Sequence, residues 1–225
     1  MQLKTKELIN ERAFFLIKNF NEEFKDRNPY WDKGPSKFFY EEIISAHKNY
    51  CIEDLLKSRN FLKDCYSCLS SWGLDKMGRR GPKMKDFEEF IEQINKFSGL
   101  IKILSSYEVG NPKSIKALFS LSEIFQNIQV LDNKTKLVAN SKLLHFLLPN
   151  LSPIIDQQYI VRYFTQKNFN KKSMYILQPK DELDFFQKIF KIYNSLIYKY
   201  SLPRKGSLLE VDRRIVNYVR KKLVK

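Results

Sequence analysis

Apolar residues recur along most of the chain at intervals of three and four, the spacing of one face of an α-helix. Residues 5–25 place Leu8, Ile9, Phe15, Leu16, Phe20 and Phe24 in this way. Asn28-Pro29 interrupts the pattern, and after Lys33-Gly34-Pro35 a Ser36 cap opens a helix from Lys37 to Tyr50. A helix is predicted from Ile52 to Ser71 through Leu55, Leu56, Phe61, Leu62 and Leu69, closed by Gly73. Lys85 to Lys96 carries Phe87, Phe90, Ile91 and Ile94 on one stripe, and Gly99 to Ser106 is a short apolar element. Further helices are expected over 114–126 and over 134–148, the most apolar stretch of the chain. Pro149 to Pro153 makes a turn, and 154–166 is helical with Asp156 in its first turn. A polar loop, 168–179, precedes helices over 180–200 and 208–223, joined by a linker at 203–207. Period-two alternation is scarce and no segment repeats. The expected fold is therefore all-α, a compact multi-helix bundle in one domain spanning 1–225, with two helical lobes, 1–110 and 111–225, as the alternative division.

Composition narrows the class. A chain of 225 residues with 43% hydrophobic and 14% aromatic content can bury a core, which disordered chains cannot. No apolar run approaches the roughly 20 residues of a bilayer-spanning helix, and the charges scattered through MQLKTKELINERAFF do not form a signal peptide. A cytoplasmic protein with no membrane partner is expected.

Charge changes the picture further. Forty Lys and Arg face 25 Asp and Glu, a net +15. The excess gathers around Lys76–Lys85, around Lys167–Lys172 and along the C-terminal helix. Such clusters attract polyanions, because each phosphate neutralised releases condensed counterions. The stretch Met77-Gly78-Arg79-Arg80-Gly81-Pro82-Lys83 adds glycines whose N–H groups can approach an anion. Arg79, Arg80 and Lys83, with Arg213, Arg214 and Arg220, are the candidate phosphate contacts of a nucleic-acid-binding protein. Asp212 and Arg213 read as surface charges of an amphipathic helix. An acidic protein partner would suit the same basicity without nucleic acid.

Motifs for common chemistries are few. There is no phosphate-binding Gly loop, dinucleotide fingerprint, H-E-x-x-H or G-x-S-x-G. Cys65 and Cys68 have C-x-x-C spacing, but His47 and His145 are the sole histidines, and the pair reads as packing residues of a helix. No metal or cofactor is expected. His145, on an apolar helix, reads as a hydrogen-bonded packing residue.

One stretch, TKLVANSKLLHFLLPNLSPIID (135–156), resembles a segment of the helix-hairpin-helix DNA glycosylases. There an apolar helix is followed by a Pro-apolar-Asp element. The resemblance implies a glycosylase or abasic-site lyase of base excision repair, acting on DNA rather than RNA. Asp156 would assist loss of the base or help a nucleophile, and Lys136, or Lys142 as second candidate, would form a Schiff base with the sugar. The family's Gly-rich hairpin corresponds to Val130–Thr135, which has no glycine. The chain is also similar to uncharacterised bacterial and archaeal proteins. That likeness runs in order through Trp72-Gly73, Ser141 to Pro149, Pro153 to Asp156 and Glu210-Val211-Asp212-Arg213.

Overall fold

A computed structural model describes residues 1–26, 35–74, 83–132, 134–169, 177–203 and 206–223. Its helices are α1 (Leu3–Asn19), α2 (Pro35–Asn49), α3 (Ile52–Lys57), α4 (Arg59–Leu69), α5 (Phe87–Asn95), α6 (Ser98–Leu104) and α7 (Ser114–Asn127). Then follow α8 (Leu137–Leu147), α9 (Arg162–Thr165), α10 (Glu182–Lys199) and α11 (Ser207–Leu223). Wide turns of π type follow α4 (Ser70–Leu74) and precede α9 (Gln157–Val161), and a single 3-10 turn, Pro179–Asp181, leads into α10. The one bridge outside the helices among the described residues joins Met84 to Leu131. The fold is all-α, and none of its described helices is long and apolar enough to cross a membrane.

The organising element is α8. A helix that is apolar on all sides has to be enclosed. Of its eleven residues only Val138 and Lys142 escape full burial. Helices α2 and α4 cover one side of it, and α7 and α10 another. Phe125 of α7 stacks on Phe186 of α10 with ring centroids 4.2 Å apart, which fastens that side. Gly110, at φ 81°, lets the chain before α7 press on α10: a Cβ there would lie 2.5 Å from Ile197 Cγ2. Its N–H donates to Asn194 Oδ1 at 2.7 Å.

The first helix lies against the last third of the chain. Its Arg12 guanidinium donates to the Gln166 and Lys167 carbonyls at 3.2 and 3.1 Å and covers the Phe169 ring at 4.8 Å. Cations are favoured at such a site, where α9 leaves carbonyls without helical partners. Phe24 stacks on Tyr218 of α11 at 4.3 Å. One apolar core therefore runs from Ile9 to Val219.

Two expectations are corrected in detail. The single helix over 52–71 is broken at Ser58, whose extended backbone (ψ 108°) ends α3 while its Oγ accepts the Phe61 N–H at 3.3 Å to cap α4. Asp156 does not lie inside the first turn of a helix. It precedes that helix as its cap.

Candidate functional site

The turn after α8 is set by Leu148, whose φ of −138° ends the helix, and by Ser152 N–H donating back to the Leu148 carbonyl at 2.9 Å. Ser141 of α8 then fastens the returning segment. Its Oγ accepts the Ile155 N–H at 3.2 Å and lies 3.3 Å from the Ile155 carbonyl. The chain reaches Asp156 in this way, directly beside the middle of α8. Asp156 Oδ1 accepts the Tyr159 N–H at 2.6 Å, and the Gln158 and Ile160 N–H groups also favour its ionised form. Burial nevertheless dominates and pushes the Asp156 carboxyl above its ordinary range, against the pull of those N–H groups and of Lys142.

Lys142 is the cation that acts on this acid. Its ammonium sits 4.6 Å over the Trp72 ring, and desolvation holds its pKa below the usual lysine value. Asp156, the Cys68 thiol and Asp212 act in the opposite sense, favouring the charged amine. Lysine and both aspartates come from three separated segments: the middle of α8, the cap of the π turn, and α11. Lys142 and Asp156 are each half-buried as residues.

Asp212 overturns an expectation. It was expected on the surface, and it is fully buried at 0% exposure. It lies within the stripe of Leu208, Ile215, Val216 and Val219, which are spaced from it by four, three, four and seven residues, so it faces the core. Arg213, its neighbour, is half-buried, and together they act on the Tyr40 hydroxyl: Arg213 favours ionisation, while burial and Asp212 oppose it more strongly.

Two tyrosines complete the surroundings. His145 Nδ1 lies 2.8 Å from the Ser152 carbonyl, which can only accept, so this nitrogen carries the proton. Nε2 of the neutral ring then accepts from the Tyr40 hydroxyl at 2.9 Å. Burial lowers the His145 pKa to about 4, which keeps the ring neutral. Tyr193 of α10 is wholly buried, its hydroxyl has no hydrogen-bond partner among the described residues, and desolvation, Asp212 and Asp156 all raise its pKa. Sequence reasoning missed Tyr40, Tyr193 and the inward placement of Asp212.

The other predicted site residues lie elsewhere. Lys136 caps α8 at its far end, with its Nζ 2.5 Å from the Gln126 carbonyl, and does not join Lys142. Arg79 and Arg80 lie outside the described residues. Lys83 and Arg220 are exposed and available to an anion. Arg214 is corrected: at 1% exposure it is a core residue, stacked 4.3 Å over Phe20 and paired with Glu210 and Asn21, and cannot reach a phosphate. Cys65 and Cys68 are buried and free on one face of α4. Among the described residues, no three His, Cys, Asp or Glu side chains gather as a metal site.

Comparison with protein-family models, curated proteins and solved structures gives no match. The chemistry of the site therefore has to be read from its own groups. A desolvated amine in the field of two carboxylates can add to a carbonyl carbon once it loses its proton.

Proposed function

We propose that the chain is a DNA-binding lyase, with Lys142 as nucleophile and Asp156 as its acid–base partner. The observation that carries this reading is the Lys142 amine, desolvated 4.6 Å over the Trp72 ring and within electrostatic reach of the Asp156 carboxylate. The neutral Lys142 amine adds to the aldehyde carbon of an opened abasic deoxyribose and loses water to give an imine. Removal of a C2′ proton by a carboxylate then breaks the C3′–O bond and expels the 3′ phosphate. The resemblance of 135–156 to the helix-hairpin-helix glycosylases implies the same pair of residue types, although it favoured Lys136. The net charge of +15 suits a polyanionic substrate.

The test is borohydride trapping on a duplex with one abasic site. Wild type forms a covalent adduct, Lys142→Ala lowers its yield by roughly 100-fold or more, and Lys136→Ala leaves it. No wild-type adduct, or one that survives Lys142→Ala, overturns the reading.

A further inference from the structure

A cavity of about 570 Å³ opens at the start of α8, away from Lys142, and Lys85, Lys134, Lys136 and Lys180 line it over a floor that includes Leu131 and Leu183. We propose that this cleft is a binding groove for the phosphate backbone of a nucleic-acid strand, a role that rests in part on the DNA reading above. The groups come together because three chain segments converge. The bridge between Met84 and Leu131 brings Lys85 beside the segment that carries Lys134 and Lys136. The 3-10 turn before α10 adds Lys180.

Two helices begin at this cleft. Lys136 is the cap of α8 and Glu182 the first residue of α10, and both line it. Glu182 complements the positive ends of both helices, so the attraction for an anion rests on the four ammonium groups. Three carboxylates oppose them: Asp132 and Glu182 line the cleft, and Glu89 lies 3.2 Å from Lys85 Nζ. Glu182 already accepts the Lys136 and Leu137 N–H groups at 2.7 and 3.1 Å, and Asp132 Oδ1 lies 3.5 Å from Lys85 Nζ. Lys134 and Lys180 are exposed and can turn towards an incoming anion. Lys83, whose carbonyl accepts the Asp132 N–H at 3.0 Å, extends the basic surface past the bridge.

The kind of ligand follows from the kind of cation. Lysines are point charges without the fork of arginine, suited to phosphates whose orientation need not be fixed. An open groove with several such charges holds a repeating backbone rather than one phosphorylated metabolite. Binding without base selectivity is the consequence.

The test measures binding of a labelled, undamaged duplex of about 20 base pairs as a function of salt. It compares wild type, Lys134→Gln/Lys180→Gln, and Lys4→Gln/Lys6→Gln, which removes the same charge from two exposed positions on α1. The cleft variant should weaken binding about tenfold and reduce the slope of log affinity against log salt by about 2, while the α1 variant stays close to wild type. Equal weakening by both variants, unchanged binding in the cleft variant, or no wild-type binding overturns the groove. So does tripolyphosphate binding in the cleft without duplex binding. Undamaged duplex needs no lyase step, so binding at the groove with no trapped adduct sinks the lyase alone. A trapped adduct with both variants equally weakened sinks the groove alone.

Discussion

Two lysines of one helical segment meet opposite surroundings. Lys136 stands at the mouth of an open cleft among other lysines, and its ammonium rests on a main-chain carbonyl. Lys142, six residues on and about 9 Å further along the axis, is pressed against Trp72 and attended by two aspartates from distant segments. The motif put Lys136 first, because the resemblance counts residues back from Asp156, whereas the proposed lyase takes Lys142 from what the fold brings alongside. A lysine at the mouth of an open cleft can hold an anion. One that is desolvated over an aromatic ring has its neutral, nucleophilic form favoured, which suits it to chemistry.

The sharpest way to break this contrast is a double dissociation. Lys142→Ala should lower trapped adduct by roughly 100-fold or more while leaving duplex affinity within about twofold. Lys134→Gln/Lys180→Gln should do the reverse once protein is raised to saturate the duplex. Variants that lose both activities together, with unchanged circular dichroism, would mean that the two regions form a single site.

A second effect tests the core behind Lys142. The folded chain refuses a proton at His145 until about pH 4, whereas the unfolded chain takes one near pH 6.5. Stability is therefore complete above that window and falls as the pH drops through it. The loss is about 1.4 kcal/mol per pH unit and about 3 kcal/mol in all. Asp156 and Glu182, whose carboxyl pKa values are raised in the fold, act in the opposite direction as acid is added, and His47, lowered by burial, acts with His145. Comparing wild type with His145→Gln by urea denaturation at pH 7 and pH 5 isolates the ring. An equal stability loss in both proteins would show that His145 is not the group responsible.

Much of this was legible in the amino-acid sequence, and the misses share a physical cause. Three-and-four spacing located every long helix, because burying one stripe is what makes an amphipathic segment fold. The same spacing contained Asp212: Leu208, Ile215, Val216 and Val219 flank it at core intervals. A charged residue is ordinarily assigned to the surface, and that habit hid the signal. Tyr193 was hidden differently, since Ile189, Phe190, Leu196 and Ile197 mark it as core, but only three-dimensional structure brings its hydroxyl within the field of Asp212 and Asp156. Arg214 is buried because α1 and the segment after it fold over α11, a long-range event with no local signature. The break at Ser58 is a side-chain cap competing with the helix, and its sequence mark is a lone serine.

A smaller effect refines the role of the aspartates. Asparagine caps a helix about as well as aspartate, so Asp156→Asn keeps the Tyr159 N–H bond and costs under about 1 kcal/mol of stability. It does remove a charge that favours the protonated amine of Lys142. Lys142 should then become reactive at a lower pH, with the midpoint of its reductive-methylation rate moved about one unit towards acid. An unmoved midpoint would mean that the carboxylate does not act on the amine, and the lyase reading would lose its partner residue.

The smallest effect belongs to the cleft. Lys85 reaches Glu89 at 3.2 Å and Asp132 at 3.5 Å, a geometry that looks like an anchor for the bridge. Both acids are half exposed or more, and water screens such pairs while ordering two long side chains opposes them. The bridge itself is held by main-chain bonds, Lys85 N–H to the Val130 carbonyl and Asp132 N–H to the Lys83 carbonyl, both at 3.0 Å. Lys85→Met should therefore leave Tm unchanged within measurement scatter at low and high salt alike, yet lower the salt slope of duplex binding by about 1. A clear drop in Tm that salt abolishes would make Lys85 a structural anchor and leave the groove with three cations rather than four.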